Sequence, residues 1–122
     1  MKTILIAEDN AYNFRMYPII LKDLGINILH ALNGKEAIEI TTSNPEISLI
    51  LMDMNMPEMS GEEAAVIIKE AYSNIPIISI TAYTVMGKVN DENRKYFCEF
   101  ITKPFNVNNL KEIVRKYLSD EN

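Results

Sequence analysis

Hydrophobic positions along this chain switch between two periods. Thr3-Ile4-Leu5-Ile6-Ala7 is a short continuous apolar run rich in β-branched residues, as in a strand buried on both faces. A helical period follows. Phe14, Tyr17, Leu21 and Leu24 recur at three- and four-residue steps, and Gly25 is placed to stop the helix. Ile26-Asn27-Ile28-Leu29 predicts a second strand. Asn33, Gly34 and Glu36 open a second helix with Ala37, Ile38 and Thr41 facing inward, and Ser43-Asn44-Pro45 closes it. Leu49-Ile50-Leu51-Met52-Asp53 predicts a third strand, again buried on both sides. A third helix should cover Glu62 to Tyr72, and Pro76-Ile77-Ile78-Ser79-Ile80-Thr81 a fourth strand. Residues 86–97 are mostly polar and predict a fourth helix with few core contacts. Glu99-Phe100-Ile101-Thr102 is a short fifth strand. Val107, Leu110, Ile113, Val114, Tyr117 and Leu118 form the single apolar stripe of a last helix. Pro18 falls inside the first helix, where a proline costs about 3 kcal/mol, so a bend is expected between Arg15 and Pro18.

Strands alternating with helices give an α/β fold of (βα)5 type. Parallel strands need crossovers, right-handed crossovers place helices on both sheet faces, and the continuous apolar strands require both faces to be covered. The chain has 122 residues, so a single domain over 1–122 is expected. Hydrophobic residues at 48% and charged residues at 24% exclude a disordered or collagen-like chain. No apolar run approaches the roughly 20 residues of a membrane span, and the first residues lack a signal-peptide layout. The single cysteine, Cys98, cannot form an internal disulfide. A reducing, cytoplasmic location is expected, with Cys98 a small buried hydrophobe. The net charge of −5 argues against direct contact with a nucleic-acid backbone.

In an open parallel sheet, ligands bind at the carboxyl ends of the strands. Glu8 and Asp9 follow the first strand, Asp53 ends the third, Thr81 ends the fourth, and the fifth runs into Lys103 and Pro104. Taken singly, each has an ordinary explanation. Asp and Asn cap helices, a strand-end threonine is usually a satisfied hydroxyl, and a lysine before proline is usually surface. Three carboxylates, a hydroxyl and an ammonium on one edge are harder to dismiss. Carboxylates within about 4 Å of one another repel by about 4 kcal/mol per pair at an effective dielectric of 20. A hard divalent cation relieves this repulsion, and Mg²⁺ keeps waters that phosphoryl oxygens can replace. A carboxylate beside it can act as a nucleophile towards phosphorus, with a lysine and a hydroxyl stabilising the moving oxygens.

Four segments together resemble the receiver domain of two-component response regulators. They are Ile4-Leu5-Ile6-Ala7-Glu8-Asp9-Asn10, Leu51 to Gly61 (with Asp53-Met54-Asn55-Met56-Pro57 at its centre), Ile80-Thr81-Ala82 and Ile101-Thr102-Lys103-Pro104-Phe105. The resemblance extends over essentially the whole chain. It implies a flavodoxin-like receiver fold, doubly wound, with a five-stranded sheet in the order 2-1-3-4-5. It implies that Asp53 is the phospho-acceptor and that Asp9 and Asp53 ligate Mg²⁺, with Glu8 reaching it through water and Asn55 through its main-chain carbonyl. Thr81 and Lys103 would hold the phosphoryl oxygens, the Lys103–Pro104 bond would be cis, and Phe100 would be a switch aromatic coupled to Thr81. Asn55 and Tyr83 stand where the family tunes the lifetime of the aspartyl phosphate. The implied partners are a histidine kinase or histidine phosphotransfer protein and an unidentified output protein. The fourth helix, fifth strand and fifth helix would form the face that switches and that commonly dimerises.

Two departures from the family pattern stand out. Tyr96 occupies a position, seven before Lys103, where glycine is frequent, and Glu8 replaces the commoner aspartate. The stretch from Glu8 to Asn13 is similar to receivers attached to hybrid histidine kinases. No output module is visible in the sequence, which fits a stand-alone receiver or one cut from a longer chain. His30, at the end of the second strand, is expected away from the acidic edge and structural. Met52, Met54, Met56 and Met59 are expected to fill core around Asp53. Two other functions use parts of the same pattern. A flavodoxin-type electron carrier would need a hydroxyl- and glycine-rich phosphate loop where Glu8-Asp9 stands. A Mg²⁺-dependent phosphatase with an aspartate nucleophile would need a D-x-D pair there, but the residues are Glu8-Asp9-Asn10-Ala11.

Overall fold

Five parallel strands pair in the order β2-β1-β3-β4-β5 in the computed structural model, which describes residues 1–82 and 89–119. They are β1 (Thr3–Ala7), β2 (Asn27–Ala31), β3 (Leu49–Asp53), β4 (Ile77–Ala82) and β5 (Glu99–Lys103). The helices are α1 (Ala11–Phe14), α2 (Met16–Ile20), α3 (Gly34–Ser43), α4 (Gly61–Ala71) and α5 (Val107–Leu118), with 3-10 turns at Lys22–Leu24 and Asp91–Tyr96. The fold and strand order are those expected. All five residues of β3, the central strand, are buried.

Strand alternation divides the core into two layers. Ile4, Ile6, Leu49, Leu51, Ile78, Ile80 and Ile101 face Tyr17, Leu21, Leu110 and Val114, so α2 and α5 cover that side. Leu5, Ala7, Ile50, Met52 and Ile77 face Ala37, Ala64, Ala65 and Ile68, so α3 and α4 cover the other. Met52 and Met56 are buried and Met54 and Met59 pack against the second layer, as expected of core fillers.

The helix starts follow local chemistry. Asn33 accepts from the Glu36 amide at 2.8 Å, and Glu36 reaches back to the Leu32 amide at 2.7 Å. Ser60 and Glu63 form a reciprocal capping box on α4. Gly25 sits in the left-handed region at φ 63°, as its expected stop role requires. Pro18 breaks the first predicted helix in two. The chain interrupts at Arg15 and restarts at Met16, so Pro18 falls in the first turn of α2, where a missing N–H leaves nothing unpaired.

Five expectations need correcting or limiting. Within the described part of the helix expected over 86–97, the chain forms a 3-10 helix at Asp91–Tyr96, because Asp91 to Lys95 offers no apolar stripe for a core to select. Residues 83–88, including Tyr83 and Gly87, lie outside the described residues. Tyr96 needs no glycine conformation, since Glu58 is the one non-glycine at positive φ among the described residues. Cys98 is exposed rather than buried. It precedes the edge strand β5 and its amide binds the Ile77 carbonyl at 2.9 Å, which leaves the thiol at the rim of the sheet. Val107, counted in the stripe of the last helix, is also exposed, at the first position of α5.

Candidate functional site

The acidic edge is assembled by the same alternation that builds the core. Glu8 continues the phase of Ile4 and Ile6, Asp53 that of Leu49 and Leu51, and Lys103 that of Ile101. These three side chains meet just beyond the layer covered by α2 and α5. One carboxylate oxygen from each of Glu8, Asp9 and Asp53 lies within 4.8 Å of the others. Glu8 and Asp53 are buried, at 2% and 7% exposure, while Asp9 is open to solvent. Lys103 Nζ donates to Glu8 Oε1 at 3.1 Å and to Asp53 Oδ2 at 3.3 Å. The remaining oxygens are held by main chain. The Asn10 amide donates to Glu8 Oε2 at 3.2 Å, and the Asn55 amide to Asp53 Oδ1 at 2.9 Å. Glu8, Asp9, Asn10, Asn13, Asp53, Asn55 and Lys103 line one cleft of about 250 Å³.

The electrostatics follow from burial and one shared cation. Burial pushes the Glu8 carboxyl above its ordinary value, against the hydrogen bond and charge of Lys103, and the charge of Asp53 adds to the rise. Burial alone would lower the Lys103 ammonium, but Asp53 and Glu8 outweigh it and raise it above its ordinary value. Tyr17, beneath the site, is pushed up by burial and then by the charges of Glu8 and Asp53. An all-oxygen donor set of three carboxylates suits a hard divalent cation such as Mg²⁺.

The expected residues do not all converge. Glu8, Asp9, Asp53, Asn55 and Lys103 share the cleft. Thr81 is buried at the end of β4, registered with Thr102, and does not line it. Phe100 lies in the layer of α3 and α4, its ring 5.5 Å from that of Phe97 and 4.1 Å beneath the Arg94 guanidinium. The Lys103–Pro104 bond is cis.

Several residues beside the site carried no expected role. Asn10 caps α1 through the Asn13 amide at 2.9 Å while its own amide holds Glu8. The signal was available, since an asparagine two residues beyond a strand-end acid is a natural helix cap. A Cβ at Gly61 would stand 2.2 Å from the Asp53 carbonyl oxygen, so only glycine lets α4 begin against the end of β3. His30 was expected away from this edge. Its Nε2 instead lies 2.8 Å from the Glu8 carbonyl oxygen. The cause is the parallel register, which pairs Ile6 with His30 and Ala7 with Ala31 and so ends β2 beside the Glu8 turn.

Comparison with known proteins gives a consistent picture. The family model of the response regulator receiver domain matches residues 4–115. The polar-differentiation response regulator DivK of Brucella anthropi is 32% identical over 98% of this chain and 98% of its own. The crystal structure of the response regulator TrrA of Thermotoga maritima, in complex with Mg²⁺-BeF, is 32% identical. It covers 96% of this chain and 99% of its own with a TM-score of 0.86. A structure of TrrA in complex with the histidine kinase ThkA is 34% identical, covers 98% of this chain and 100% of its own, and has a TM-score of 0.85.

Proposed function

Because this chain belongs to the response regulator receiver domain family of two-component signalling, we propose that it is a phosphorylation-activated receiver whose acceptor is Asp53. It is a signalling protein that would modify only itself. The observation that carries this reading is the placing of Asp53. Its carboxylate stands at the end of a buried central strand, oriented on one oxygen by the Asn55 amide and on the other by Lys103, against Glu8 and Asp9.

Glu8, Asp9, Asp53 and the main-chain carbonyl of Asn55 would hold Mg²⁺. When bound, the ion neutralises charge developing on the phosphoryl oxygens. The donor is a phosphohistidine on a histidine kinase or phosphotransfer protein, a partner class supported by the kinase complex of TrrA. An Asp53 oxygen forms its bond to phosphorus in line with the breaking P–N bond, whose electron pair stays on the departing imidazole. Lys103 then exchanges one carboxylate for a phosphoryl oxygen, and Thr81 takes another. The new charge shifts a pre-existing equilibrium of Phe100 and of the face made by Asp91–Tyr96, β5 and α5, which an output protein reads. Water later hydrolyses the acyl phosphate.

The test uses acetyl phosphate with Mg²⁺ as the donor and intact-mass analysis as the readout. One phosphoryl group is expected on the wild type and none on Asp53→Asn. An equal mass gain in the variant would place the acceptor elsewhere.

A further inference from the structure

Glu8 is held by its main chain as firmly as by its side chain. Its amide donates to the Ala31 carbonyl at 2.9 Å. Its carbonyl oxygen lies 2.8 Å from His30 Nε2. Two consecutive residues of β2 therefore take both main-chain polar groups of Glu8. A carbonyl oxygen only accepts, so His30 Nε2 carries the proton of this hydrogen bond. The imidazole is fixed in turn by Phe14 of α1, whose ring stacks on it with centroids 3.7 Å apart and planes within 5°. That stack sets the ring plane and aims Nε2 at the Glu8 oxygen.

The carbonyl that His30 binds belongs to the peptide group joining Glu8 to Asp9. Fixing that peptide places the N and Cα of Asp9, and with the Asn10 amide held by Glu8 Oε2 the chain is anchored on both sides of the Asp9 side chain. Glu8 is buried and tied to Lys103 and Asn10, but Asp9 is exposed, so its placing depends on its main chain. We infer that His30 is a positioning residue of the metal site, holding the Glu8–Asp9 peptide so that Asp9 meets the cation already aligned with Glu8 and Asp53. The inference rests on the reading of Glu8 and Asp9 as Mg²⁺ ligands. Groups that orient metal ligands typically contribute 10- to 100-fold in affinity, and an effect through the main chain belongs at the lower end.

Mg²⁺ titration followed by amide NMR shifts, with urea unfolding in chelator alongside, tests this on the wild type, His30→Leu and His30→Gln. His30→Leu should weaken Mg²⁺ binding about tenfold. His30→Gln, whose side-chain amide can donate to the same oxygen, should recover most of that loss even where its stability in chelator is no better than that of His30→Leu. If His30→Leu does not fold, His30→Asn, whose amide is one bond too short, replaces it in the comparison. Equal affinity in the wild type and His30→Leu, with Asp53 still phosphorylated, overturns this inference alone. Weak binding by both variants overturns it as well, because the ring's packing would then matter and its hydrogen bond would not. A wild type that binds no Mg²⁺ overturns the proposed function and this inference with it.

Discussion

Glu8 is a buried acid whose ordinary partners only partly offset its burial. Its raised carboxyl value has a direct consequence for stability against pH. A carboxyl held higher in the folded than in the unfolded chain binds its proton more tightly when folded, so stability falls as pH rises from the unfolded value near 4.5 through the folded one. In chelator, Glu8→Gln should therefore be more stable than the wild type at pH 7, and the advantage should vanish near pH 4. Urea unfolding across that range checks it, and a variant less stable than the wild type at neutral pH would show that the Lys103 pair outweighs burial. Most of the site was legible at this scale because Glu8, Asp9, Asp53 and Lys103 are strand-end residues, and strand ends can be read from apolar runs. His30 and Gly61 were not. One acts on a main-chain carbonyl and the other by lacking a side chain, and neither leaves a compositional trace.

Elements were legible where packing selects them. The β3 run and the stripe of α5 appear almost at their expected bounds, because buried apolar positions recur at the right period. The Asp91–Tyr96 segment lacks such positions and is held instead by polar ties. Glu62 of α4 accepts from the Asn90 amide at 3.1 Å and from Asn93 Nδ2 at 2.6 Å. No sequence period announces contacts of that kind. The paired helices α1 and α2 show the opposite case, in which one residue announced the break. Since Pro18 sits in the first turn of α2, Pro18→Ala should recover far less than the full interior penalty. A change in unfolding free energy within about 1 kcal/mol is expected, with little change in far-UV circular dichroism. A gain near 3 kcal/mol, with added helical signal, would mean that α1 and α2 fuse once the proline is gone.

For the whole molecule, the acidic cluster is expected to cost stability, as sites proposed for function usually do. Three carboxylates share one ammonium, so removing one acid should relieve repulsion even though it also removes an ion pair. Asp53→Ala should raise the unfolding free energy in chelator by about 1 kcal/mol, after screening and the lost Lys103 contact are allowed for. Mg²⁺ at ten times its dissociation constant should stabilise the wild type by about 1.4 kcal/mol, and the variant by much less. Urea unfolding of both proteins, with the ion and with chelator, gives all four values. A variant that is weaker in chelator and gains equally from Mg²⁺ would show that the three carboxylates do not act as one site.

The two-layer core has a consequence for how a signal could travel. Asp53 and Lys103 continue one face of the sheet, while Phe100, three residues before Lys103, packs with Phe97 in the layer on the other face. The sheet is thus a partition, with the proposed acceptor on one side and the proposed switch aromatic on the other. A message confined to side-chain packing would stay within its own compartment. To cross, it must pass along β5 itself, whose neighbouring residues open onto opposite sides, so the strand is the wire as well as the wall.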